Sequence, residues 1–146
     1  MKKILVLATA IVAGASGIAY AQSGPNLIEM RKVGFALMAG DFAGIRAVAA
    51  AKGDVKTLEN PAKAMARFAA LIPSLFPEGT AAGGNTKALP EVWSNRAGFQ
   101  KAADGLGAAA TQLASAANAG DSAGVMTAIK AVGDACGACH KEFRAR

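Results

Sequence analysis

From residue 92 to residue 117 the apolar side chains fall at Val92, Phe99, Ala103, Leu106, Ala110, Leu113 and Ala117. The steps are seven, then alternating fours and threes, which keep one stripe of a helix apolar. A strand alternates every second residue and cannot carry this rhythm. Val125, Ile129, Val132, Cys136 and Phe143 continue it further on. Ile28, Phe35, Met38, Phe42, Ile45 and Ala49 form an earlier stripe, and Leu58, Met65, Phe68 and Ile72 a shorter one. Alanine and glycine are abundant and runs of β-branched residues are absent, so the chain reads as all-α.

The breaks between stripes are marked. The first helix opens near Pro25 and runs to about Lys52, with Gly53 as its stop and Asp54 as the next cap. The second starts between Asp54 and Asn60 and ends at Pro73 and Pro77. Residues 73–90, with "GTAAGGNT" inside them, read as a long crossover loop. Pro90 lies in the first turn of the third helix and Gly120 closes it, after which Asp121 or Ser122 caps the fourth. Four amphipathic helices with short links at 53–54 and 118–121 predict an antiparallel, up-down-up-down four-helix bundle.

The N-terminus sets the compartment. Lys2 and Lys3 precede a short apolar run from Ile4 to Val12, and Ala19-Tyr20-Ala21 is a small-x-small cleavage site. This is the pattern of a secretory signal peptide over residues 1–21, cleaved after Ala21. Residues 22–146 then form one domain, and no later segment is expected to cross a membrane. The formal net charge of +6 includes both leader lysines. The remaining basic residues are scattered, which argues against nucleic acid and leaves acidic partners open.

The only two cysteines and the only histidine crowd together in "CGACHKEFRAR" (136–146). Cys136, Cys139 and His140 share one helical face at i, i+3 and i+4, and that face is the core-facing stripe. Four readings compete. A redox pair or disulfide would normally accompany a strand–helix unit. A structural zinc needs four ligands, and these residues supply three. Two thiols and a histidine can be plain packing. CxxCH is also the attachment signature of c-type haem. Haem uses all three rare residues, fits export, and fills room left by Gly34, Ala103 and Ala110. Only six residues follow His140 and none is methionine, so any sixth iron ligand must come from earlier helices.

"RKVGFALMAGDFAGI" (31–45), "LFPEGT" (75–80), "ALPEVW" (88–93) and "GDSAGVMTAIKAVGDACGACHKEFR" (120–144) resemble the cytochrome c' family, the class II c-type cytochromes. The resemblance covers essentially all of residues 22–146. It implies one covalently bound haem c inside the bundle, a periplasmic location, and often a homodimer through helices 1 and 2. It implies binding of nitric oxide or carbon monoxide at a five-coordinate iron, electron transfer, or both. Family members with methionine as sixth ligand act as electron carriers. The redox partner is not implied.

By the same resemblance Cys136 and Cys139 are the thioether links and His140 the axial ligand. Arg144 is the proximal-pocket arginine, Arg31 lies near the propionates, and Phe35 walls the open side of the iron. Phe143 departs from the tyrosine more usual there. Each residue has a plainer reading. Phe35 can be ordinary core, Arg144 a helix-end cation, and Arg31 a solvated charge, although it falls on the apolar stripe. Met30, Met38, Met65 and Met126 read as core filler, and Trp93 as packing. No cluster points to covalent or acid–base catalysis, so the chain is not read as an enzyme. A six-coordinate electron carrier and a haem-free bundle with a CxxC disulfide stay open as alternatives.

Overall fold

The computed structural model describes residues 26–81 and 85–146. The leader, its Ala21 cleavage site and Pro25 lie outside these. Among the described residues there are five α-helices: α1 (Leu27–Ala50), α2 (Glu59–Leu71), α3 (Glu91–Ser94), α4 (Arg96–Ala119) and α5 (Ser122–Phe143). The four long ones make the antiparallel four-helix bundle. α2 packs on α4, α4 on α5, and α1 closes the ring against α2 and α5.

The stripes fold inward as their spacing requires. All seven positions on the α3–α4 stripe, Val92 to Ala117, are buried. Met65, Leu113, Val125 and Val132 are among the most deeply buried side chains. Gly120 takes φ +70 and ends α4, while Asp121 caps α5 by accepting from the Gly124 N–H at 2.9 Å. The left-handed conformation at Gly120 suits a residue without Cβ.

Several boundaries differ from the sequence reading. Asn26 caps α1, its side chain accepting from Glu29 N–H at 3.2 Å. The left-handed residue after α1 is Lys52 (φ +54), not Gly53, and the Gly53 N–H reaches back to Val48 O at 2.9 Å. The second helix starts inside the interval read for it, but Asn60 is not its cap and lies within the helix. Asp54 caps a 3-10 turn over Val55–Leu58, and α2 follows from Glu59 without a gap. The third helix is not continuous. Asn95 (φ −115, ψ +57) separates α3 from α4 and caps α4 through the Gly98 N–H at 3.1 Å.

One expectation about composition and two about burial are corrected. Helix α1 is long and apolar enough, by length and composition, to cross a membrane (mean hydropathy 1.4). Its stripe nevertheless packs on the core through Phe35, Met38, Phe42 and Ala49. Met30 and Met126 are exposed rather than core filler, because they stand off the stripes of α1 and α5.

Candidate functional site

Helix α5 carries Val132, Cys136, Cys139 and Phe143 along one side, and Val132 and Phe143 are buried. The two cysteines are half-buried free thiols packed against the core. His140 is exposed, which corrects the expectation that it points into the interior. At about 100° per residue, position 140 sits roughly 80° around the helix from position 132. The imidazole therefore lies at the rim of the apolar stripe. It borders an open groove of about 450 Å³ lined by Leu89, Gly137, Lys141, Arg144 and the C-terminal residues.

The end of α5 is tied down by a pairing that no sequence pattern announces. Residues 87–89 run antiparallel to 143–145: Leu89 N–H donates to Phe143 O at 3.0 Å and Ala145 N–H to Lys87 O at 2.8 Å. Arg144 thus leaves the helix in an extended conformation (φ −130, ψ +129) and is exposed. It still stands close enough to His140 to act on it. Loss of water from packing, and then the Arg144 guanidinium, push the imidazole pKa down. Burial pushes both thiols up, and for Cys139 neighbouring Cys136 and Glu142 add to the rise.

Across the bundle, Arg31 is only 3% exposed. Its Nη1 donates to Thr80 Oγ1 (3.1 Å) and Leu75 O (3.4 Å), and its Nη2 to Thr80 O (3.1 Å). The guanidinium carbon lies 4.3 Å from the centroid of the Phe76 ring. Arg31 is therefore not a solvated charge. It holds the crossover segment, and burial lowers its pKa. Arg96, which sequence reasoning missed, does the same from α4 by donating to Phe76 O (3.2 Å) and to Pro73 O. Trp93 adds a third clamp, Nε1 to Pro77 O at 3.0 Å, consistent with packing.

These anchors organise a row of rings. Phe35 is edge-on to Phe68 (centroids 5.6 Å, 89°) and tilted against Phe76 (6.4 Å). Phe76 meets Phe99 at 5.0 Å, and Phe99 meets Phe143 at 5.2 Å. Phe143 has no phenol oxygen to hydrogen-bond and packs against Phe99. The row runs from α1 and α2 to the helix bearing Cys136, Cys139 and His140.

The residues present suit an attached macrocycle better than the rival groups. Among the described residues no three His, Cys, Asp or Glu side chains converge to hold a metal ion by themselves, which tells against zinc. Both thiols are unbonded. Arg31 is a buried cation that belongs to none of the three ion pairs among the described residues. A buried charge matched only by neutral acceptors fits an anionic group such as a propionate.

A family model described as cytochrome c' matches residues 26–144. Cytochrome c' from Rubrivivax gelatinosus is 36% identical over 121 residues, 82% of this chain and 94% of that protein. Its crystal structure aligns with a TM-score of 0.74 over the same shares. A cytochrome c' described by its ligand-controlled dimer dissociation is 30% identical, with a TM-score of 0.76 over 82% of this chain and 95% of its own. The nitric oxide complex of a leucine-to-alanine variant of cytochrome c prime from Alcaligenes xylosoxidans is 28% identical, with a TM-score of 0.74 over 82% and 94%.

Proposed function

This chain belongs to the cytochrome c' family, and we propose that it is an exported mono-haem c protein whose iron keeps one position open for nitric oxide or carbon monoxide. When bound, haem c supplies an iron that takes up a small ligand or exchanges one electron. The observation that carries the open position is Phe35. It stands on the α1 stripe, half-buried, among Phe68 and Phe76. A phenyl ring has no lone pair for iron, and it excludes water. Only small, uncharged, strongly bonding molecules are then admitted.

In this reading Cys136 and Cys139 hold the macrocycle through thioethers, and His140 supplies the axial nitrogen. The lowered imidazole pKa keeps His140 neutral near pH 7, the form with a free lone pair. Arg144 stands beside it in the proximal pocket. Arg31 would offer N–H donors to a propionate while still donating to Thr80 O. Export rests on the leader read at residues 1–21, with periplasmic residence following from it.

A second reading has one observation behind it. Met38 is half-buried on the same stripe, three residues after Phe35, so a six-coordinate electron carrier remains the competing form. The ferric spin state separates the two. Electron paramagnetic resonance of the purified holoprotein near neutral pH is expected to show a high-spin signal. A purely low-spin signal defeats the open-site reading.

Homodimerisation belongs to the same proposal. Val33 (55% exposed) and Leu37 (67%) on α1, with Leu71 (57%) at the end of α2, are large apolar side chains left in solvent. Helices α1 and α2 are the surface through which two copies would meet. Sedimentation of the holoprotein at micromolar concentration is expected to give a dimer, and Leu37→Glu a monomer.

A further inference from the structure

We infer that Phe68 is the positioning residue of the distal wall: seated on Gly34, it holds Phe35 edge-on and thereby sets how far the wall opens to an incoming gas. The inference rests on the reading of Phe35 as that wall.

Gly34 directly precedes Phe35 in α1. A Cβ built on Gly34 would lie 2.5 Å from both Cε2 and Cζ of Phe68. No real Cβ tolerates that approach, so the ring occupies a slot that only glycine leaves. Glycine inside a helix costs about 0.5–1 kcal/mol against alanine. α1 therefore carries this weakness where a ring from α2 needs the space.

Phe35 touches two rings of unequal security. Phe76 has three other partners, the Arg31 guanidinium at 4.3 Å, Phe99 at 5.0 Å and Trp93 at 6.1 Å. Phe68 has Phe35 as its only aromatic partner among the described residues, at 5.6 Å and 89°. Its place depends on the Gly34 slot. Phe68, which belongs to α2, limits the swing of Phe35 toward that helix, and Phe76 is its second aromatic stop. Removing Phe68 frees one of the two stops, and filling the slot pushes the same stop out of place.

The test uses the holoprotein and a double-mutant cycle on Phe35 and Phe68, with Gly34→Ala alongside. Carbon monoxide association to the ferrous protein is followed after flash photolysis. Phe68→Ala is expected to change the rate by roughly two- to tenfold, the range that one edge-on aromatic pair commands. In a Phe35→Ala background the same substitution should add nothing, and Gly34→Ala should move the rate in the same direction as Phe68→Ala. Denaturant unfolding of the same four proteins gives a readout independent of gas binding, where Phe35 and Phe68 should show non-additive losses. If Phe68→Ala prevents folding, Phe68→Leu serves, because it lacks the ring atoms that meet Gly34 and Phe35. An unchanged rate in Phe68→Ala beside a changed rate in Phe35→Ala overturns the positioning role alone. Independent, multiplying effects overturn it too. An unchanged rate in Phe35→Ala overturns the wall itself, and the positioning role with it.

Discussion

Replacing Arg31 by methionine asks whether one side chain holds the crossover segment. Arg31 is 3% exposed and makes three hydrogen bonds to a segment 44 to 49 residues away. Each such bond is worth about 1 kcal/mol net, more where the donor is charged. Burying the guanidinium offsets part of this, as the downward push on its pKa indicates. Methionine keeps the stem and can pack its sulfur on Phe76, which replaces most of the cation–ring attraction. It leaves Leu75 O and Thr80 O without donors. The expected loss is about 2–3 kcal/mol, read as a lower denaturant midpoint with an unchanged slope. Arg31→Lys retains the charge without the planar fork and should recover less than half. A loss below about 0.5 kcal/mol, within the range of ordinary surface substitutions, would refute the clamp. The same variant tests the propionate role separately. Removing a nearby positive charge favours the ferric state, so the reduction potential should fall. An unchanged potential would confine Arg31 to the loop.

Two further substitutions test the helix ends. Lys52→Gly removes a lysine from the left-handed region at φ +54 and should stabilise the fold by about 0.5–1 kcal/mol, seen as a higher melting temperature. Gly98→Ala should destabilise it by about 1 kcal/mol, because the new Cβ would fall 2.4 Å from Asn95 Nδ2 and displace the cap of α4. Gly105→Ala, where a Cβ meets nothing within 4 Å, is the control and should stabilise by a similar amount. Equal shifts at the two glycines would show that the Asn95 cap contributes nothing.

What the sequence made legible follows from how many solutions each pattern allows. The α4 stripe permits one buried face, and all its positions are buried. Gly120 and Asp121 combine a left-handed stop with a side-chain cap, and both act as read. The break at Asn95 was harder to see because helix propensity runs on through Val92–Arg96. The signal was there in Asn95 followed three residues later by Gly98, an acceptor and the N–H it caps. Lys52 was masked by the glycine beside it. The rim position of His140 follows from helical arithmetic alone, whereas reading the CxxCH motif as a unit hid it. Arg31 was suspect from its place on the stripe. Its partners were not legible, since they lie in a loop with no periodicity, and the same holds for Arg96.

The bundle is unevenly built, and the unevenness bears on function. α4 buries eight residues, five of them alanine, so α2 and α5 approach it closely. α1 buries only Arg31 and Ile45. Its other stripe residues, Phe35, Met38 and Phe42, are half-covered. Small side chains at α4 let α5, which carries Cys136, Cys139 and His140, pack closely against it. On the proposed reading the wall at Phe35 sits on this sparsely buried helix, and regions with few buried apolar contacts open at lower free energy. Hydrogen exchange should therefore protect α4 amides more strongly than those around Phe35 in α1. Equal protection in the two helices would mean that α1 around Phe35 is as fixed as α4 and, on the proposed reading, that access to the iron is set by ring packing without any help from helix motion.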